Sequence, residues 1–261
     1  MTWNLGRASG PSAGLSTMLF LIAAVFGIAG FVKGVIGLGL PTVSMGLLAV
    51  AMTPLQALTI VIVPAIVTNI WQTFAGPYLG SILRRLWPLL LGTGVAIWGA
   101  GALMAGPYAR YATIVLGLLL VIYAGLGLTR LQIRTAPRNE KWVGGIVGLL
   151  TGVISAATGI QVIPSMPYLQ SIGLEKDELV QALGVFFTVA TFAQAFNLTS
   201  VGLLNASTAL PGLVAMGTAF AGMFVGQVVR QRLDPEGFRR WFLIALLVLG
   251  IYLAASTIVS L

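Results

Sequence analysis

Long apolar segments separated by short basic clusters dominate the sequence and restrict the folds that it can adopt. Of the 261 residues, 58% are hydrophobic and 8% are charged, whereas soluble domains carry about 25% charged residues. A helix needs about 20 apolar residues to cross a bilayer, so the chain has room for about eight spans and none for a soluble domain. In lipid, every backbone N–H and C=O must be paired within the protein. The sequence therefore predicts an all-α polytopic membrane protein.

The basic clusters predict the orientation of the spans. The chain has 14 Lys and Arg against 6 Asp and Glu, for a formal charge of +8. The cations gather beside apolar segments, at Arg84 and Arg85, at Arg130 to Lys141 and at Arg230 to Arg240. This distribution is typical of cytoplasmic loops and does not indicate a nucleic-acid partner. Counting the spans between the clusters places both termini outside, with the first apolar run retained because no clear cleavage site follows it.

Two glycine-rich breaks interrupt the apolar segments, at Gly30 to Pro41 and at Gly148 to Pro164. Non-helical backbone at membrane depth persists only where it is buried in protein or lines a cavity. Matched breaks in the two halves of a transporter indicate a binding site between those halves. The segment that follows the first break, Thr42 to Met52, would rise only about 16 Å as a helix. Because that is too short to cross, we expect a re-entrant or tilted piece.

Internal similarity predicts a duplicated architecture. Gln56-Ala57-Leu58 recurs 125 positions later as Gln181-Ala182-Leu183, and Gly34-Val35-Ile36 recurs 118 positions later as Gly152-Val153-Ile154. The seven-residue difference predicts an insertion around the second break. We therefore expect two transmembrane repeats of about four spans each, 1–129 and 142–261, joined by a basic cytoplasmic linker, 130–141. Each repeat holds one re-entering unit and three spans, so the two have inverted topology.

Lys33 is the one cation that the sequence places within a membrane segment away from its ends. A buried charge at that depth is costly and indicates function, although its long side chain would also allow the ammonium to snorkel to an interface. All six acids are expected in loops, which favours an anionic or neutral substrate over a cation or a carboxylate proton relay. Without His, Cys or a membrane acid, neither enzymatic chemistry nor a metal or other cofactor is expected.

The glycines have two interpretations. Five of them recur at spacings of four, which lets membrane helices pack closely: Gly30, Gly34, Gly144, Gly148 and Gly152. Three others lie near a proline, which cannot supply an N–H: Gly37, Gly39 and Gly159. At these three we expect an opened helix, with amides at Gly37 to Gly39 and at Thr158 to Gly159 facing an anion.

Uncharged polar residues complete the predicted site. Asn69 and Gln72 share a helical face, and their counterparts 125 positions later are Gln194 and Asn197. These amides would hold anionic oxygens, or alternatively would bond neighbouring helices to each other. The predicted substrate-binding set is Lys33, Gly37, Gly39, Pro41, Thr42, Asn69, Gln72, Ser155, Thr158, Gly159, Gln161, Pro164, Gln194 and Asn197.

Three stretches carry a family resemblance: the first break, Gly34-Val-Ile-Gly37-Leu-Gly39-Leu-Pro41, the second break, Gly152-Val-Ile-Ser-Ala-Ala-Thr158-Gly159-Ile-Gln-Val-Ile-Pro164, and Pro167 to Lys176. Together they resemble the sulfite-exporter permeases (TauE/SafE, also called TSUP). The resemblance covers nearly the whole chain from about Phe20. It implies a secondary transporter in the bacterial inner membrane that moves sulfite or an organosulfonate such as sulfoacetate, isethionate or a taurine-type compound. Leu40, Pro41 and Gln161 depart from the family's glycine-rich pattern. A passive anion channel, a permease for another small organic anion, and the oligomeric state stay open.

Overall fold

A computed structural model describes residues 11–37, 39–101, 111–129, 134–200, 202–204, 206–230 and 232–259. Within these ranges the chain forms ten α-helices, a short 3-10 helix at Pro137–Asn139, and no strand. The first five helices are α1 Pro11–Ile36, α2 Leu40–Leu48, α3 Pro54–Phe74, α4 Leu79–Gly99 and α5 Ala112–Leu128. The second five are α6 Glu140–Thr158, α7 Ser165–Ser171, α8 Lys176–Ser200, α9 Ala206–Arg230 and α10 Pro235–Val259.

Six helical segments of the described chain have the length and hydropathy needed to cross a membrane. They are Leu15–Ile36, Pro54–Phe74, Pro137–Thr158, Lys176–Ser200, Leu210–Arg230 and Glu236–Ile258. The sequence predicted about eight spans, and the two predicted spans that are not in this group are α4, which carries Arg84 and Arg85, and α5, a shorter apolar helix. Large apolar side chains such as Phe20 and Phe224 face outwards, as lipid contact requires.

Several charged residues predicted in loops lie instead on helices. Arg84 and Arg85 belong to α4, and the first turns of α6, α8 and α10 contain acids. For the acids the reason is electrostatic, because a negative side chain stabilises the positive end of a helix. The prediction that all six acids lie in loops is therefore wrong for Glu140, Asp177, Glu178 and Glu236. Residues 130–133 of the predicted linker, including Arg130, lie outside the described residues.

Glycines bring two pairs of helices into backbone contact. A Cβ on Gly30 or Gly34 of α1 would clash with backbone carbonyls of α9, at Ala219 and Met223 respectively. A Cβ on Gly148 or Gly152 of α6 would clash with the backbone of α4. These contacts confirm the packing interpretation of the four glycines, and residue numbers rise together across both interfaces, so each pair runs parallel. The fifth glycine, Gly144, makes room for the Tyr168 ring of α7.

The helices α3 and α8 form the centre of the bundle. In the 18-residue apolar stretch of each helix, 61% of the residues are buried in α3 and 56% in α8, against 22% in α9. They run antiparallel, since Asn69 contacts Thr191 while Thr73 contacts Thr188. The α5 and α10 pair is also antiparallel, since Gly117 meets Gly250 while Gly127 meets Leu243. The remaining helices pack around these pairs and bury the core.

Candidate functional site

Both predicted breaks are present, and the long helices end in the same way. After α1, Gly37 adopts φ 87° and its N–H donates to the Lys33 carbonyl at 2.7 Å. After α6, Gly159 adopts φ 75° and its N–H donates to the Ser155 carbonyl at 2.8 Å. A positive φ at the end of a helix is readily adopted only by glycine, which explains why glycine stands at both positions. Each long helix is followed by a short one, α2 or α7.

The structure shows where the seven-residue difference between the two sequence offsets arises. The separation between matched positions grows from 118 at Gly34 and Gly152 to 122 at Gly37 and Gly159, because α6 continues for one turn more after Gly-Val-Ile than α1 does. It then grows to 125 at the starts of α2 and α7, because the second linker is three residues longer. The seven-residue difference therefore corresponds to one extra helical turn and a longer linker, and the duplication that would make it an insertion stays a prediction.

The amides that are free at the breaks differ from those the sequence predicted. The N–H groups of Gly37 and Gly159 close the last turns of α1 and α6, and that of Thr158 lies within α6, so these amides are engaged inside the protein. Gly39 adopts φ 104° and precedes α2, which has Pro41 in its first turn and no side-chain cap. Leu38 lies outside the described residues. The amides available to an anion at the first break therefore belong to the start of α2.

Lys33 is buried beside the first break, with 7% of its surface exposed. Its ammonium donates to Thr68 Oγ1 and to Asn69 Oδ1, both at 3.1 Å. The Thr68 hydroxyl donates in turn to the Pro64 carbonyl at 2.8 Å, which leaves its lone pairs for the lysine. The ammonium is thus held by neutral groups of α3 inside the protein and does not snorkel along the protein surface.

Asn69 links Lys33 to the second half of the chain. Its Oδ1 accepts from the ammonium while its Nδ2 donates to Thr191 Oγ1 of α8 at 3.3 Å. The amide orientation is fixed by this arrangement, because only the oxygen can accept from an ammonium. Thr68 and Thr191 were not among the predicted site residues. Thr68 could have been identified because it stands next to Asn69, a predicted site residue. A threonine on an apolar helix, such as Thr191 on α8, carries no distinguishing signal.

The predicted amides behave differently from one another. Gln194 Nε2 donates to the carbonyl and hydroxyl of Ser155, at 2.6 and 3.0 Å, and so connects α8 to the last turn of α6. Gln72 donates to the Val180 carbonyl at 2.8 Å and Asn197 to the Ile97 carbonyl at 2.6 Å. Those two side chains bond neighbouring helices together, which supports the structural alternative for them.

The second break is polar and carries no cation. Thr158 Oγ1 donates to the Ile154 carbonyl at 2.8 Å and accepts from the Ile160 amide at 3.2 Å. Gln161 is buried, with 4% exposed, and its Oε1 has no hydrogen-bond partner. Pro164 precedes α7, and Thr42 of α2 is buried. A Cβ on Gly159 would lie 2.7 Å from Met45 Cε of α2, so the second break packs against the first half.

Two clusters therefore form where the sequence predicted one enclosure. The first joins Lys33 and Asn69 with Thr68 and Thr191, and the second joins Ser155 with Gln194. Thr191 and Gln194 are separated by one turn of α8, about 4.5 Å of rise. A groove of about 690 Å³ between α4 and α8, lined by apolar residues including Trp87, Trp98 and Val189, includes none of the predicted site residues.

These features define a polytopic membrane protein whose interior holds two helix breaks and a buried cation. A family model described as sulfite exporter TauE/SafE matches residues 21–253, nearly the whole chain. The chain belongs to the sulfite exporter TauE/SafE family, a family of membrane transporters. No curated protein and no solved structure matches the sequence.

Proposed function

We propose that this protein is a secondary transporter that moves a small sulfur-containing anion across the bacterial inner membrane by alternating access. The substrate is an organosulfonate of the isethionate, sulfoacetate or taurine type, or sulfite. Membership of the sulfite exporter family supports a sulfur anion as cargo. The observation that carries the proposal is the buried ammonium of Lys33, whose two hydrogen-bond partners are both uncharged.

A buried charge held by neutral partners favours an anionic ligand. Removing an ammonium from water costs several kcal/mol, and a hydroxyl and an amide recover only part of that cost. A sulfonate or sulfite beside Lys33 would recover more, because hydrogen bonds between ionised groups are about twice as strong as neutral ones. The start of α2 would add free amides and the positive end of a helix. Lys33, Gly39, Pro41 and Asn69 are therefore the core of the proposed anion site.

The arrangement of the helices supports inverted halves. Exchanging α1–α5 with α6–α10 converts the α1 and α9 pair into the α6 and α4 pair, and both pairs are parallel and closely packed through glycine. The same exchange maps α3 onto α8 and α5 onto α10, which are antiparallel. Equivalent helices that run in opposite directions require opposite topology. Residues 1–129 and 142–261 then form the two repeats.

The same contacts support the proposed orientation. Arg85 of α4 binds Glu140 of α6 and the carbonyl of Ile172, which follows α7 four residues before α8, so the basic ends of these helices share one face. The start of α10 lies on the same side, since Gly127 of α5 packs against Leu243. Basic residues on one face mark the cytoplasmic side. Because an even number of spans lies between the N-terminus and the C-terminus, the two termini share one side of the membrane. In the proposed orientation this side is the outside.

Alternating access would use the closely packed pairs as rigid units. The α1 and α9 pair joins the two halves through backbone contacts, and so does the α4 and α6 pair. The α3 and α8 interface between them is held by hydrogen bonds such as Thr73 to Thr188 at 2.9 Å. Hydrogen bonds of this kind are worth about 0.6 kcal/mol each in membrane proteins. The central interface therefore has contacts weak enough to exchange during transport.

Counterflow in proteoliposomes tests this proposal. Vesicles loaded with unlabelled isethionate or sulfite are diluted into medium with a trace of the labelled compound, and uptake is compared with that of unloaded vesicles. A carrier accumulates label faster when loaded, because the return step brings the binding site back outside. Saturable, trans-stimulated uptake supports the proposal. Flux without trans-stimulation would identify a passive channel, and stimulation only by a sulfur-free organic anion would identify another permease.

A further inference from the structure

The C-terminal end of α6 lies inside the protein and presents unpaired carbonyl oxygens. A continued helix would pair the carbonyls of Ala156, Ala157 and Thr158 with the next amides, but Gly159 turns the chain at φ 75° and the Ile160 amide donates to Thr158 Oγ1. Within the described part of the chain, no donor reaches those three carbonyls. Ala156 and Thr158 are 2% and 0% exposed. Buried carbonyls of this kind require a partner.

Side-chain oxygens near this end are also unpaired. Gln161, three residues beyond the helix, has a buried Oε1 without a partner, and no hydrogen bond of the described residues involves its amide group. Farther back, two turns before the end of α6, the Thr151 hydroxyl is fully buried and likewise has no partner. Carbonyl, amide and hydroxyl oxygens are the ligands that alkali cations take in broken membrane helices.

The first break shows what neutralises such an end. In α1 the residue four positions before the terminal glycine is Lys33, whose ammonium complements the negative end of the helix. The residue at the same position in α6 is Ser155, and the last turn of α6 contains no basic residue. Their partners also correspond, since Lys33 bonds Asn69 and Ser155 is bonded by Gln194, 125 positions later. The second break has the negative helix end without the fixed cation.

We propose that a monovalent alkali cation binds at the C-terminal end of α6 and takes there the place that the Lys33 ammonium has in α1. Its ligands are the unpaired carbonyls of the last turn and Oε1 of Gln161. A divalent ion is excluded by its larger desolvation cost, because the described residues offer no cluster of carboxylates. The cation site itself does not depend on the proposed function. Only a role of this cation in driving transport would rest on it. The two clusters lie one turn of α8 apart, near enough for bound charges of opposite sign to attract each other.

Thermal unfolding of the purified protein without any sulfonate tests the site. Sodium, potassium or choline chloride is compared at one ionic strength. Sodium or potassium should raise Tm in a saturable manner, because a ligand that binds only the folded state stabilises it. Gln161→Leu should raise the half-saturating concentration by at least about tenfold, the cost of one ligand to a charged group. Gln170→Leu, at an exposed position of α7, is the matched control and should leave that concentration unchanged.

Ser155→Lys supplies the missing cation and should make Tm the same in all three salts. If that variant does not fold, Gln161→Leu decides the matter. Equal Tm values for the wild type in alkali and choline salts would overturn the inference, as would a half-saturating concentration that Gln161→Leu does not change. Either result leaves the proposed function standing as long as a sulfonate still raises Tm. Loss of the sulfonate response with a normal cation response would instead contradict the anion site.

Discussion

Replacing Lys33 by Met removes the buried charge while keeping a long flexible side chain, so it separates binding from folding. The ammonium donates to two neutral groups at 3.1 Å and, in the proposed complex, to the anion. A hydrogen bond to a charged group is worth about 1.5–3 kcal/mol. The substitution should therefore weaken anion affinity by about 10- to 150-fold. Isothermal titration calorimetry with isethionate or sulfite measures this directly.

The same substitution should leave the unliganded protein folded, because its two effects on stability oppose each other. It leaves Thr68 Oγ1 and Asn69 Oδ1 without the lysine, at about 1–3 kcal/mol each. It also removes the desolvation cost of a buried ammonium, which is several kcal/mol. The two effects oppose each other, so we expect a net change within about 2 kcal/mol. Lys176→Met, at an exposed position in α8, is the control for charge alone. Unchanged affinity in Lys33→Met would refute the role given to this lysine.

Three further predictions follow from the fold. Gly34→Ala should destabilise the protein by about 1–3 kcal/mol because the new methyl group meets the Met223 carbonyl, whereas Gly27→Ala, with no atom within 4 Å, should be tolerated; equal melting temperatures would contradict this packing. Arg85→Met should cost about 1–3 kcal/mol in chemical denaturation by leaving Glu140 unpaired, and an unchanged midpoint would show that the pair contributes nothing. Because the chain has no cysteine, a single cysteine added at either terminus should react with an impermeant maleimide on spheroplasts, and protection of one terminus alone would exclude inverted repeats.

The helices and both breaks could be predicted from the sequence because lipid leaves the backbone few alternatives. Runs of apolar residues specify spans, and glycine beside proline specifies where a helix opens. Gly37, Gly39 and Gly159 all adopt positive φ at the expected positions. Even the seven-residue difference between the two sequence offsets was visible, although its division into one helical turn and a longer linker was not.

The contacts within the site could not be predicted, because they depend on how distant helices approach one another. Lys33 and Asn69 lie 36 positions apart, and Asn69 and Thr191 lie 122 apart. The N–H groups of Gly37 and Gly159, which were predicted to face an anion, close the last turns of their helices instead. Gln72 and Asn197 donate to backbone carbonyls of neighbouring helices, at Val180 and Ile97, which the sequence alone does not reveal.

The position of a bound sulfonate is the most direct test of the central claim, that the buried ammonium beside the first break holds the substrate. The bromine of 2-bromoethanesulfonate, an analogue of isethionate, can be located by anomalous scattering in crystals of the complex. We expect a sulfonate oxygen about 2.7–2.9 Å from Lys33 Nζ, the usual distance between ionised partners, with the bromine near the start of α2. Bromine found only in the apolar groove between α4 and α8, with nothing beside Lys33, would contradict the account.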